Sequence, residues 1–245
     1  MREIDDDAIV LRTYSSGEAD RVVVLWTRAH GKVRVIAKGV RKTTSRLGGT
    51  LEVLGYVRVS LVRSRGDFYI ARHVSHLERF ATLRSSYERI TAGFAVVEMV
   101  DAIPVDDVVD DAFFEVLVRV LATLDNPDYD PTLVPASFGL RLLDYDGSAP
   151  VLDACANCGR EGPLVAFDAA IGGALCALCR SGSPLSPEAL TLMRRIVGGD
   201  LAAVLRSAPA ASGEVSSLVH EALEVHLGRR LRAARSTAPL GPKSP

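Results

Sequence analysis

Four cysteines, Cys155, Cys158, Cys176 and Cys179, are all the chain contains, and they fall as C-x-x-C, a loop of seventeen residues, and C-x-x-C. Two thiolates two residues apart can grip one ion from a tight turn, and a second pair completes the tetrahedron that Zn²⁺ accepts. Four sulfurs leave no open position for water or substrate, so the pattern specifies one structural Zn²⁺ and not a reaction centre. The competing reading, two disulfides, needs an oxidising compartment. The opening Met1-Arg2-Glu3-Ile4-Asp5-Asp6-Asp7 lacks the basic head and apolar stretch of a secretory signal, which favours the metal. Gly159 after the first pair and Gly172-Gly173 before the second supply the left-handed backbone that knuckle and hairpin turns require. A structural zinc contributes on the order of 10 kcal/mol to a small module. Residues near 153–181 are therefore expected to unravel first on chelation.

The 245 residues, 48% of them hydrophobic, suffice for one large domain or two modest ones. The longest apolar run, Ala92 to Val100, is too short to span a bilayer and is broken by Glu98, so no membrane is expected and a soluble, cytoplasmic protein is the default. The net charge of -1 conceals a segregation along the chain. From Arg28 to Arg72 eleven basic residues face only Glu52 and Asp67, a local charge of +9. From Glu98 to Asp130 ten acids face a lone Arg119. One end suits a polyanion; the middle does not.

Residues 7–77 read as five short strands. Ala8–Tyr14 and Arg21–Trp26 are β-rich runs split by Ser15-Ser16-Gly17, Lys32–Lys38 alternates, Leu51–Arg63 puts Val53, Val57, Val59 and Leu61 on one face, and Asp67–Val74 follows Gly66. In the third, Val33, Val35 and Ala37 feed a core while Lys32, Arg34 and Lys38 point the other way, with Ile36 the exception. Five strands in about 70 residues predict a small closed barrel, and the OB-fold is the five-stranded barrel that holds oligonucleotides. The following loop, Gly39 to Gly49, carries Arg41, Lys42 and Arg46 and no acid. Lys32, Arg34, Lys38, Arg41, Lys42 and Arg46 are therefore the candidate phosphate contacts, by charge-assisted hydrogen bonds. Tyr14, Trp26, Tyr56, Phe68 and Tyr69 are available either to stack on bases or to fill the core.

Several of these pieces follow one another in the order of a known family. Ala8-Ile9-Val10-Leu11-Arg12, Gly17-Glu18-Ala19-Asp20-Arg21, Thr27 with His30-Gly31-Lys32, Ala37-Lys38-Gly39-Val40-Arg41-Lys42 and Ser45-Arg46 resemble the bacterial recombination-mediator family RecO. Cys155-x-x-Cys158-Gly159 and Gly172-Gly173-x-x-Cys176-x-x-Cys179 resemble its zinc-bearing members. The resemblance implies an α+β chain of two domains. Residues 1–80 would form an OB-fold nucleic-acid-binding domain, and 81–245 a mainly helical domain with the zinc module inserted at about 153–181. It further implies a DNA-repair protein, nucleoid-associated, that binds single- and double-stranded DNA and anneals complementary strands. With RecR and the single-strand-binding protein (SSB), such proteins load RecA. An RNA-binding or transcription-associated OB-fold and zinc protein is the alternative that the residues alone leave open.

Beyond Leu83 the period lengthens. Tyr87, Ile90, Phe94, Val97 and Val100 or Asp101 predict one helix stripe ending at Ile103-Pro104; Val109, Phe113, Val116, Val120 and Leu124 predict another over 108–124; and 131–144 reads as a third helix. Ser186-Pro187-Glu188 opens a helix with stripe Leu190, Met193, Ile196 and Val197, stopped at Gly198-Gly199. Ser212–Arg232 reads as a last helix, with Val215, Leu218, Val219, Ala222 and Leu223 inward and Arg229 and Arg230 at its end as a possible partner or DNA contact. The chain has no G-x-x-x-x-G-K-[ST] loop and no G-x-S-x-G elbow. His220 and His226 stand six residues apart, not the four of a zincin helix. No catalytic residue is assigned, and a non-enzyme is expected.

Overall fold

A computed structural model describes residues 3–40, 49–64, 66–104 and 110–233. Arg41, Lys42 and Arg46 lie outside the described residues, as does Val109. The chain divides into two compact units: residues 1–84 with 97–125, and residues 85–96 with 126–245.

The first unit is built on β1 (Glu3–Ser16), β2 (Asp20–Thr27), β3 (Gly31–Ala37), β4 (Tyr56–Arg63) and β5 (Phe68–Glu78), closed into a barrel in the order β1-β2-β3-β5-β4. Only β3 with β5 is parallel. Closure depends on β1, a 14-residue strand whose first half pairs with β4 and whose second half pairs with β2. Between Val10 and Arg12 the register slips by one residue, a bulge that bends the strand from one neighbour toward the other. Leu54 and Gly55 bond there to the backbone of Val10, both at 3.0 Å. This is why residues 51–55, expected as strand, form a turn instead: Leu54 sits at φ 71° and the fourth strand begins at Tyr56.

The barrel interior holds Val10, Val23, Leu25, Val35, Val59 and Leu61, all fully buried. The alternation read in β3 is the observed one, with Val33, Val35 and Ala37 inward and Arg34 and Lys38 exposed. A one-residue slip would turn two core valines to water at about 1.5–3 kcal/mol each, so the register is firmly set. This five-stranded barrel is an OB-fold.

Helices α1 (Ala81–Ser85), α2 (Tyr87–Ala102) and α3 (Asp111–Asp125) follow. In α2 the expected stripe holds only toward its end, where Val97 and Val100 are buried; Tyr87 is 74% and Phe94 41% exposed, and Ala92, Ala95, Val96 and Met99 are buried as well. The middle of this helix is apolar on most sides, so the spacing of its largest residues does not choose the inward face. Helix α3 is turned by one position: Phe113, Phe114, Leu117, Leu121 and Leu124 are buried, while Val116 and Val120 are half-buried. The leucines and Phe114 offer more apolar area than the valines, and they take the core.

In the second unit a short 3₁₀ turn leads into α4 (Val134–Tyr145), the sheet β6 (Leu164–Asp168), β7 (Gly173–Cys176) and β8 (Ser183–Pro184) follows, and α5 (Pro187–Val197), α6 (Leu201–Ser207) and α7 (Ser212–His226) complete it. Ser186 caps α5 as expected, accepting from the Ala189 amide at 3.1 Å, although Val197 is 54% exposed. The five residues predicted inward on α7 are buried. That helix stops sooner than expected, since Gly228 at φ 61° follows its last turn, and Arg229 and Arg230 lie beyond the helix.

Candidate metal centre and nucleic-acid face

The four cysteines carry free thiols, and their sulfurs lie within 4.8 Å of one another. Local backbone chemistry builds this cluster. The first knuckle closes by Gly159 N–H to the Cys155 carbonyl (2.8 Å) and Cys155 N–H to the Arg160 carbonyl (3.0 Å), with Gly159 at φ 70°. It is strapped to β7 by Ala156 N–H donating to Ala174 at 2.9 Å. Asp168 shapes the β6–β7 turn, accepting from the Ala170 and Ile171 amides, and Ser181 Oγ donates to its other oxygen at 2.6 Å. Ser181 first, then the Ile171 amide, hold this carboxyl below the ordinary range. Gly172 takes φ 89° there, whereas Gly173 serves close approach, since a Cβ on it would stand 2.4 Å from the Val151 carbonyl oxygen.

A tetrahedral ion bound at about 2.3 Å sets its four sulfurs about 3.8 Å apart, and Cys158 and Cys176 stand at 3.9 Å. The electrostatics fit the same purpose. The Cys176 amide, outweighing burial and joined by those of Cys158 and Asn157, holds the Cys155 thiol down at about 6. The Cys179 amide does the same for Cys176, against burial. Cys158, though the Arg160 amide favours its thiolate, is pushed up to about 11 by the neighbouring Cys155 and Cys179 sulfurs. Aimed amides favour anions in this nest, yet four thiolates cannot crowd together without a cation among them. The residues therefore fit a closed four-thiolate metal site. His220 and His226 are engaged elsewhere, with Glu224 at 3.2 Å and Asp146 at 2.9 Å.

On the barrel's outer face, register sets side chains side by side. Arg12 stands opposite Val24, Val24 opposite Arg34, and Arg34 opposite Phe68. The next row runs Tyr14, Val22, Ile36, Ile70. Arg34 and Lys38 are exposed, and their side chains have no hydrogen-bond or ion-pair partner among the described residues. Lys32 behaves differently: its ammonium is half-buried and donates to the backbone carbonyls of Asp101, at 2.8 Å, and Ile103 at the end of α2.

The aromatic candidates divide. Trp26 is buried against Phe113 (5.3 Å between ring centroids), Tyr56 packs on Phe114 (6.0 Å), and Tyr69 packs against the barrel core. Tyr14, 43% exposed, lies under the Arg12 guanidinium at 5.7 Å, and Phe68 is half-buried beside Arg34. Arg12 joins this face only because of the bulge in β1; strict alternation from Val10 would have turned it inward. Arg229 and Arg230, in the other unit, rim a cavity of about 620 Å³ with Phe167, Ala169 and Val225 on its wall. No helix among the described residues is long and apolar enough to cross a membrane.

An OB-fold barrel whose outer face mixes exposed cations with aromatics, followed by a helical part with a four-cysteine cluster, is an arrangement found among nucleic-acid-handling proteins. Comparison with known proteins narrows the class. Residues 1–80 match the family description "Recombination protein O N terminal" and residues 84–235 match "Recombination protein O C terminal". The chain is 38% identical over 241 residues to the DNA repair protein RecO of Streptomyces coelicolor, covering 94% of this chain and 96% of the relative. It is 36% identical over 241 residues to that of Streptomyces griseus, with the same coverage, and 40% identical over 193 residues to that of Thermobifida fusca, covering 77% and 79%. The chain belongs to the RecO family of DNA-repair proteins.

Proposed function

We propose that this protein binds single- and double-stranded DNA on the outer face of its barrel and anneals complementary strands. With RecR it would act as a recombination mediator that loads RecA on single strands coated by SSB. The observation that carries the reading is the pair of exposed cations Arg34 and Lys38, with half-buried Phe68 opposite Arg34 and exposed Tyr14 on the same outer face of a barrel of the oligonucleotide-binding kind. Phosphate contact falls to Arg34 and Lys38, extended by Arg41, Lys42 and Arg46 of the loop that follows. Lys32, given to the end of α2, works as a positioning residue beneath them. Neutralising phosphates on one surface lowers the repulsion between two strands, so pairing needs no nucleotide fuel and no catalytic residue.

Residues 1–80 serve as the nucleic-acid-binding domain and 81–245 as the helical one. Cys155, Cys158, Cys176 and Cys179 would hold one structural Zn²⁺, which when bound ties both knuckles to β7 and adds no reactive position. Arg229 and Arg230 are a secondary site for a partner or DNA. The protein works in the cytoplasm, at the nucleoid. The test is annealing of complementary oligonucleotides coated with SSB, without ATP. Five phosphate contacts on a single strand give a slope of log affinity against log salt of about -3.5. No annealing together with a flat salt response refutes the assignment, and tighter binding to a matched RNA strand would move it to RNA.

A further inference from the structure

The acid-rich stretch that follows the barrel in sequence returns to it in space. Within the first unit, Arg28, on the turn between β2 and β3, is gripped by Asp111 and by Glu115 (2.7 Å), both on the first turns of α3, and its guanidinium lies over the Phe114 ring at 4.5 Å. Burial opposes the charge of Arg28, but these carboxylates outweigh it and hold the guanidinium charged more firmly than usual. Arg12 meets Asp101 at 3.4 Å, and Lys32 donates to the carbonyls of Asp101 and Ile103. Three cations of the barrel are thus answered from the end of α2 and the start of α3, while Arg34 and Lys38 are left exposed.

We infer that Asp101, Asp111 and Glu115 are specificity-determining residues: they occupy Arg12 and Arg28 in place of phosphate and so fix the edge of the track along which a nucleic-acid strand lies on the barrel. The inference rests on the proposed DNA-binding reading. A strand is confined to the side of Arg34 and Lys38, and a strand straying toward β2's far turn meets carboxylates. Asp7 is the weaker partner of Arg28, since it stands 3.9 Å away and is already bound to Arg58 at 2.7 Å.

The test uses the full chain and a fluorescent thymidine oligonucleotide, with anisotropy read across a salt series. The variant Asp111→Asn/Glu115→Gln is expected to steepen the slope of log affinity against log salt by about 0.7, one added phosphate contact, and to bind about fivefold tighter at 0.1 M salt. Adding Arg28→Gln to it should return the slope to the wild-type value. An unchanged slope in the doubly substituted protein, or a steeper one that survives loss of Arg28, overturns the inference. Should that variant not fold, Asp101→Asn probes the same rim at Arg12 with the same expected increment, and no increment overturns the inference equally. A wild-type protein without salt-dependent binding would refute the DNA-binding reading itself; wild-type binding with insensitive variants refutes only the guard.

Discussion

Replacing Lys32 by methionine separates two roles that look alike in sequence. The ammonium of Lys32 donates to two backbone carbonyls, Asp101 and Ile103, at the C-terminal end of α2, where the helix dipole also favours a cation. Methionine keeps most of the aliphatic stem and removes the charge and both hydrogen bonds. Hydrogen bonds involving a charged group contribute about 1.5–3 kcal/mol each, and the half-buried site lets water replace part of the loss. The expected cost is about 2–3 kcal/mol. With a urea dependence of about 2–3 kcal/mol/M, the denaturation midpoint of the barrel falls by about 1 M, readable by Trp26 fluorescence, since Trp26 is the chain's one tryptophan and is buried in this unit. The salt slope of DNA binding should stay where it is. Arg34→Met gives the reverse, with stability moved by less than about 0.5 kcal/mol and the slope shallower by about 0.7. A Lys32→Met protein of wild-type midpoint whose slope drops by about 0.7 refutes the reasoning, because Lys32 would then be touching phosphate.

Cys158→Ser should lose bound zinc, measured by elemental analysis, and lower the melting temperature of the second unit while leaving the salt slope of DNA binding intact; a variant that keeps its metal and its stability contradicts the four-sulfur site. Burial above all, with the nearby Arg79 adding to it, lowers the pKa of His76 from 6.5. Below 6.5 the unfolded chain takes up a proton that the folded barrel resists, so stability present above that pH is lost as the pH falls. Melting at pH 7 and pH 5 should show this fall in the wild type, and His76→Gln should flatten it. Gly139 on α4 lies under α7, where an added Cβ would stand 2.6 Å from Leu223 Cδ1 and 3.0 Å from Val219 Cγ1. Alanine gains about 1 kcal/mol in helix propensity, but with both neighbours fully buried the overpacking costs about 1–3 kcal/mol. Gly139→Ala should thus destabilise by thermal or urea denaturation, and Leu223→Ala added to it should recover part of the loss; a stabilised single variant would show that the site yields freely.

Legibility in the sequence tracked how local each cause is. The cysteine spacing and its glycines wrote the four-sulfur cluster almost completely, because the backbone bonds that close its knuckle and turn lie within 151–183. The third strand was equally plain, since alternation of Val33, Val35 and Ala37 with Lys32, Arg34 and Lys38 has one physical reading even with Ile36 among the outward positions. The first strand was not, because a bulge at Leu11 inverts the parity of Arg12 and Tyr14, and nothing at that position marks it. The first half of helix α2 misled for the opposite reason: with Ala92, Ala95 and Val96 all buried beside an exposed Phe94, it has too little polar surface to declare its orientation. α6, seven residues after a Gly-Gly break, carried too short a pattern to be seen. The fate of Lys32 and Arg28 could not be read at all, since their partners stand some 70 to 85 residues away along the chain.

Those distant partners have a practical consequence for anyone dissecting the molecule. The barrel strands end at Glu78, yet the rings that shield Trp26 and Tyr56 are Phe113 and Phe114. Scissors applied at the obvious seam after residue 80 would therefore release a piece with a bared indole and three unanswered cations. Such an excised barrel would be sticky toward itself and overly fond of any polyanion, so a binding assay on it would misreport the whole protein.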